Sequence, residues 1–163
     1  MAKRNVSERP QASGPRPKGS LRPKAEGPGS KRKAQGPRPK AQAGFPRAVA
    51  AAVRVALDKK AEDVVVLDLR RAGGFTDFFV ICTAGNSRQI MAIADGVRDT
   101  LKRDLEERPT LTEGIDRSEW ILLDYFNFVV HVFSRDCRAF YGLERLWGNA
   151  ERHEVSDDAA VRS

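Results

Sequence analysis

The sequence predicts an α/β fold: a mixed sheet of about four to five strands with helices packed on it, preceded by a disordered basic tail. Three observations predict it. Apolar runs of strand length alternate with helical periodicities, in the order α-β-β-α-β-β-α. Proline, glycine and basic residues crowd into the first 46 positions and then thin out abruptly. The stretch 113–148 is dense in aromatic residues and reads strand, strand, helix.

Each element has a local reason. Residues 48–61 are rich in alanine and place Val49, Val53, Ala56 and Leu57 on one helical face. Residues 64–69 form a continuous apolar run, which predicts a strand buried on both faces. Ala72-Gly73-Gly74 breaks the chain before a second strand at 77–83. Gly85-Asn86-Ser87 turns it into a long helix over 88–107, with Ser87 as the expected N-cap. Ile90, Ala94, Val97, Leu101 and Leu105 recur at three- and four-residue steps and make that helix's core stripe. Pro109 marks its end. Two further apolar runs, 120–123 and 128–133, read as paired strands around the short turn 124–127. Ser134 then opens a helix that ends at Gly148.

The chain divides into a Pro/Ala/Gly-rich basic extension at 1–46, a folded domain at 47–150 and a flexible tail at 151–163. The charge follows that division. Residues 1–47 hold thirteen Lys/Arg against Glu8 and Glu26, a net of +11, whereas residues 48–163 are net −4. The overall +7 therefore belongs to the extension, and the domain itself is mildly acidic. Residues 1–46 hold eight of the nine prolines and few apolar side chains other than alanine. Such a segment cannot bury enough apolar area to offset the cost of ordering, so it is expected to be disordered. Its charge suits contact with RNA or another polyanion, a contact that salt would weaken strongly; the bland alternative is a solvated extension with no partner. It lacks the apolar core of a signal peptide, and no run approaches the roughly 18 apolar residues of a membrane span. Cys82 and Cys137 form no C-x-x-C pair and read as free thiols in a reducing compartment, which points to the cytoplasm.

Enzyme chemistry finds little support. Ser87, His131 and Asp124 do not make a hydrolase triad, because no G-x-S-x-G elbow is present and Ser87 is better used as a cap. Gly85-Asn86-Ser87 at a strand–helix junction is similar to the glycine-serine corner of nucleotidyltransferases, where phosphate sits on the helix N-terminus. Two-metal chemistry also needs carboxylates converging on one face. Asp68-Leu69-Arg70 and Asp124-Tyr125-Phe126 each supply a single acid. A degenerate nucleotide-binding protein remains the alternative reading. No metal site is expected, since His131 and His153 lie far apart in sequence with no cysteine beside them, and no cofactor is implied. His131 shares a strand face with Val129 and Phe133 and reads as a hydrogen-bonded structural histidine.

The aromatic residues instead suggest a protein interface. Base stacking on nucleic acid would need basic residues interleaved with them. Trp120, Tyr125 and Tyr141 lie among Glu113, Asp116, Glu119, Asp124 and Glu144. An acidic rim repels phosphate and attracts a basic protein, and Trp and Tyr are frequent interface anchors. Trp120, Leu122 and Asp124 share a face by strand alternation.

The ordered motifs Thr76-Asp77-Phe78-Phe79-Val80-Ile81, Gly85-Asn86-Ser87-Arg88-Gln89 with Ala92-Ile93-Ala94-Asp95, Glu113-Gly114, Trp120-Ile121-Leu122-Leu123-Asp124-Tyr125, Val129-Val130-His131-Val132-Phe133 and Phe140-Tyr141-Gly142-Leu143-Glu144-Arg145-Leu146-Trp147-Gly148 resemble the ribosomal silencing factor (Iojap-related) family. The resemblance implies a nucleotidyltransferase-like fold without the catalytic carboxylate pair. It implies a non-enzymatic repressor of translation that binds the large ribosomal subunit through its fourteenth protein, on the joining face. The bulk of the bound protein would then block the small subunit. It also implies a homodimer when free, and it makes ribosomal RNA the natural polyanion for the tail. On this basis Trp120, Leu122, Asp124 and Tyr125 form the centre of the expected partner surface. Asp77 and Glu113 are its rim acids, and Leu143 and Trp147 support or extend it. The chain departs from the family at Phe126-Asn127, where relatives have Gly-Asp.

Overall fold

In the computed structural model, residues 44–157 are described. The expectation of a disordered extension falls on residues 1–43 for all but its last three positions, and so lies outside the described residues.

The elements are α1 (Arg47–Asp58), β1 (Glu62–Asp68), β2 (Phe78–Ala84), α2 (Ser87–Leu105), β3 (Leu111–Glu113), β4 (Trp120–Asp124), β5 (Phe128–Ser134), α3 (Arg135–Tyr141), α4 (Leu143–Leu146) and β6 (Glu151–Val155). They build a six-stranded sheet in the order β3-β4-β5-β2-β1-β6. Only β2 and β5 run parallel; the other pairs are antiparallel. The mixed α/β fold predicted from sequence is present, with six strands in place of four to five.

Helices α1 and α2 lie on one face and close the main core. Val64, Val66, Phe78, Val80, Cys82, Ile121, Leu123, Val130 and Val132 meet Val49, Val53, Ile90, Ile93, Val97 and Leu101 there. On the other face, Val65, Leu67, Phe79, Ile81, Val129 and Phe133 form a smaller cluster, partly covered by α3, α4 and their flanks. β2 is buried along its whole length, as expected of a central strand with neighbours on both edges and helices above.

Four expectations are corrected. The N-cap of α2 is Asn86, not Ser87: the Asn86 side chain accepts the Gln89 N–H at 2.9 Å. Asn and Ser cap equally well, so composition could not choose between them. The helix expected from Ser134 to Gly148 is two helices. Gly142 adopts φ +52, breaks the helical path and leaves α4 as a separate turn. Ser134 does cap α3, accepting from the Cys137 N–H. Third, the tail from 151 onward is not flexible throughout, because Glu151–Val155 pairs antiparallel with β1 as edge strand β6. Its alternating charges Glu151, Arg152 and Glu154 hid it as a strand, yet such charges suit an edge. Finally, β3 was unforeseen, being only three residues long. Gly114 follows it at φ +87, where a Cβ would come within 1.8 Å of the Trp120 carbonyl oxygen, so only glycine permits the return into β4.

The β4–β5 turn carries Phe126-Asn127. Phe126 stands there at φ +73, a left-handed conformation that costs an L-residue roughly 1–2 kcal/mol. Two bonds hold it: the Asp124 carboxylate accepts the Phe126 N–H at 2.7 Å, and the Thr76 hydroxyl donates to the Phe126 carbonyl at 2.9 Å. The Phe126 ring is exposed and adds no burial to offset the strain. Phe126→Gly is therefore expected to raise stability by about 0.5–1 kcal/mol, read as a higher urea midpoint. A lower midpoint would show that the ring, not the backbone, decides the turn.

Candidate functional site: the open face of the sheet

Strand alternation places the predicted residues. On β4, Ile121 and Leu123 are buried toward α1 and α2, while Trp120, Leu122 and Asp124 are half-buried on the opposite face. The register then adds neighbours. Glu113 lies opposite Leu122 and Leu111 opposite Asp124, so Glu113 and Leu111 share the open face and both are exposed. On the other side Trp120 faces Phe133, and Leu122 faces His131.

Trp120 is the hub. Its ring stacks on Phe133 at 4.9 Å and meets Tyr141 of α3 at 4.6 Å. Its indole N–H donates to His131 Nδ1 at 3.2 Å. His131 is thus hydrogen-bonded and structural, as its strand position suggested. Burial pushes it down to about 3, so it stays neutral. Because Nδ1 accepts, the remaining proton sits on Nε2, which has no partner among the described residues. Leu143 and Trp147 pack against the same cluster, Trp147 edge-on to Phe79 at 6.0 Å.

Tyr125 is a correction. It is only 6% exposed, faces the helices and stacks on Phe128 at 4.8 Å. One residue past Asp124, the chain has turned its side chain to the other face, so Tyr125 cannot sit at the centre of an open surface. Its hydroxyl is buried without a partner among the described residues, and burial pushes its pKa upward. Asp77 is exposed just before β2, with its N–H donating to Asn127 at 3.0 Å. It stands beside the β4–β5 turn, at the same end of the sheet as Asp124.

The structure also brings in residues that sequence reasoning did not place on the site. Tyr141 is 47% exposed and caps the Trp120 ring, with the exposed Phe140 beside it; Leu111 and Leu146 are exposed too. Trp120 and Tyr141 are far apart in sequence, on a strand and a helix, and no periodicity links them. Tyr141 was visible only as one aromatic among acids.

The nucleotide corner looks different in three dimensions. The Gln89 side chain accepts the Gly85 N–H at 2.8 Å and donates to the Lys59 and Lys60 carbonyls at 3.0 and 2.9 Å. The Gly85 N–H is thus engaged within the corner, and the Gln89 N–H is engaged by the Asn86 cap. The two lone acids do not converge either. Asp68 is on the helix side of β1 and bound bidentately by Arg70 at 2.9 and 2.5 Å, which holds its carboxyl below the usual range. Asp124 is on the open side of β4, with β5 and β2 between the two strands, roughly 14 Å at the spacing of paired strands. Two-metal chemistry needs far closer ligands. Among the described residues no cluster of His, Cys, Asp and Glu could hold a metal ion. Burial pushes the Cys82 thiol up to about 12, which makes it inert at neutral pH. No helix among the described residues is long and apolar enough to cross a membrane.

Residues 42–163 match the family model described as ribosomal silencing factor during starvation. The chain is 40% identical over 104 residues to the ribosomal silencing factor of Halalkalibacterium halodurans, covering 64% of this chain and 88% of that one. It is 39% identical over 93 residues to that of Bacillus subtilis, covering 57% and 78%. A crystal structure of a Chromobacterium violaceum protein superimposes with a TM-score of 0.59 at 30% identity, covering 62% of this chain and 83% of that one.

Proposed function

The chain belongs to the ribosomal silencing factor family, and from that membership we propose that it binds the large ribosomal subunit through the open face of its sheet and blocks the small subunit sterically. The family name supports regulation of translation and association with ribosomes. The finer reading, in which the contact is the fourteenth large-subunit protein on the joining face, is supported by one observation above the others. An aromatic pair, Trp120 and Tyr141, stands half-open at one end of β4, and Leu122, the exposed Glu113 and the half-buried Asp124 follow it along the same face. Aromatic anchors with an acidic rim fit a basic protein.

Mechanistically this is occlusion without catalysis. The aromatic centre supplies desolvated contact area, the rim acids orient a basic partner, and the volume of the domain excludes the second subunit. Asp77 extends the acidic rim toward the β4–β5 turn, and Leu143 and Trp147 pack against the same cluster as Trp120. We place this activity in the cytoplasm, with the free protein able to self-associate. The nucleotide-binding alternative draws no support from the lone acids Asp68 and Asp124, which stand on strands separated by β5 and β2.

Sucrose-gradient sedimentation with separated subunits tests the reading. The protein is expected to travel with large subunits, not small ones, and to reduce the joined-ribosome peak when added before mixing. Travel with small subunits, or an undiminished joined peak at saturating protein, would overturn it.

A further inference from the structure

The Trp120 ring is held in two different ways. Phe133 stacks on it at 4.9 Å with 25° between the planes, and Tyr141 lies across it at 4.6 Å. Dispersion contacts carry little direction. They set the plane of the ring, but not which of its edges points inward. A hydrogen bond makes that choice. The indole N–H can only donate, and it donates to His131 Nδ1 at 3.2 Å. The bond crosses from β4 to β5 on a diagonal, since Trp120 stands opposite Phe133 and Leu122 opposite His131.

His131 is itself fixed. It is 4% exposed, edge-on to Phe79 at 4.7 Å and nearly parallel to Phe133 at 5.9 Å. Nδ1 therefore has a set place under the open face. Burial keeps the imidazole neutral, so Nδ1 remains an acceptor; a protonated ring would set one N–H against another. Trp120 is only half-buried. Without Nδ1, its N–H would have to turn outward to water or stay unpaired, which is costly.

We infer that His131 is the positioning residue of the partner surface: its Nδ1 turns the N–H edge of Trp120 inward and so preorganises the aromatic anchor that the partner meets. The inference rests on the open face being the ribosome-binding surface, and it adds how that surface is kept ready. An anchor already held in place loses less freedom on binding. The hydrogen bond therefore contributes to affinity although His131 is buried. One such bond is worth up to about tenfold in an equilibrium.

Two full-length variants test it. His131→Asn places an oxygen on Cγ where the imidazole carries Nδ1, so it keeps an acceptor for Trp120 and loses the Nε2–H. His131→Leu fills similar space with no acceptor. Affinity is measured by co-sedimentation with purified large ribosomal subunits. Hydrogen exchange of the Trp120 indole proton is followed by nuclear magnetic resonance, with its signal identified by its loss in Trp120→Phe. His131→Leu is expected to lose protection of that proton and to bind about tenfold more weakly. His131→Asn is expected to keep the protection and to bind within about threefold of the unsubstituted protein. A histidine that only filled the core would weaken binding in both variants alike, without regard to the indole proton. Unchanged affinity in His131→Leu would overturn the inference, and so would an indole proton that stays protected there. Equal loss of affinity in His131→Asn with the proton still protected would assign the effect to the Nε2–H and overturn it too. Failure of the unsubstituted chain to bind large subunits would overturn the reading of the face and this inference with it. The exchange measurement needs no ribosome and so tells that outcome from the others.

Discussion

Asp124→Lys is expected to weaken co-sedimentation with the large ribosomal subunit roughly a hundredfold, with the far-ultraviolet circular dichroism unchanged. Asp124 is half-buried at the end of the open face, next to Leu122 and opposite Leu111. A lysine there puts like charge against a basic partner, a juxtaposition that costs several kcal/mol. Its structural duty is small, a single hydrogen bond from the Phe126 N–H, worth about 1 kcal/mol. The loss of binding should therefore far exceed the loss of stability. Trp120→Ala is expected to abolish binding too, but it is the less clean variant. It removes the stack on Phe133 and leaves His131 Nδ1 without its donor, which should cost roughly 3 kcal/mol of stability. Wild-type affinity in Asp124→Lys would sink the assignment of this face, whatever Trp120→Ala does.

Arg138→Met should destabilise the protein by about 3 kcal/mol at neutral pH, near the low end for breaking a buried ion pair. Arg138 donates to both oxygens of Glu144, at 3.0 and 2.8 Å, to the Asp63 carbonyl at 2.7 Å and to the Thr83 hydroxyl at 2.8 Å. The Asp63 carbonyl is available because β1 is irregular there: Asp63 sits at φ +48, and the register with β2 shifts between Glu62 and Val65. One side chain thus ties α3, α4, β1 and β2 together. The effect should depend on pH. The hydrogen bonds from Arg138 hold the Glu144 carboxyl below its ordinary value of 4.5. A carboxylate lowered in the folded state adds stability above its unfolded pKa and loses it as pH falls through the folded one. The gap between wild type and Arg138→Met should stay constant from pH 7 to about 5 and shrink below 4.5. Urea titrations at several pH values measure it. A gap under about 1 kcal/mol at pH 7 would mean that the latch is screened like a surface pair. Because α3 carries Tyr141 and the segment beyond it carries Trp147, near-ultraviolet dichroism should change as well.

Much of this site was legible in the chain, and the reasons differ from residue to residue. Trp120, Leu122 and Asp124 could be assigned to one face because a strand alternates with period two, a property of the backbone alone. The same rule puts Tyr125 on the other face, where it is buried; its place in the expected surface came from the motif it belongs to rather than from alternation. The cap at Ser134 was legible because a serine before a helical pattern satisfies an N–H locally. The cap at Asn86 was missed because two good capping residues stand side by side. β6 was missed because an exposed edge strand carries charges and has no apolar signature. The broken helix at Gly142 was missed because a glycine inside a helical pattern is often tolerated.

The chain by itself determined the α/β class, the two-faced strands, the acidic setting of the aromatic residues and the absence of a paired-carboxylate motif. All of these follow from side-chain chemistry and from local periodicity. Tertiary structure alone decided that β5 inserts between β4 and β2, which carries Asp68 and Asp124 far apart and onto opposite faces. It alone brought Tyr141 onto Trp120 and gathered Arg135, Arg138, Arg145 and Arg152 around one groove. Those arrangements join residues distant in sequence. The packing of the whole domain chooses which strand edges and helix faces meet, and no local pattern encodes that choice.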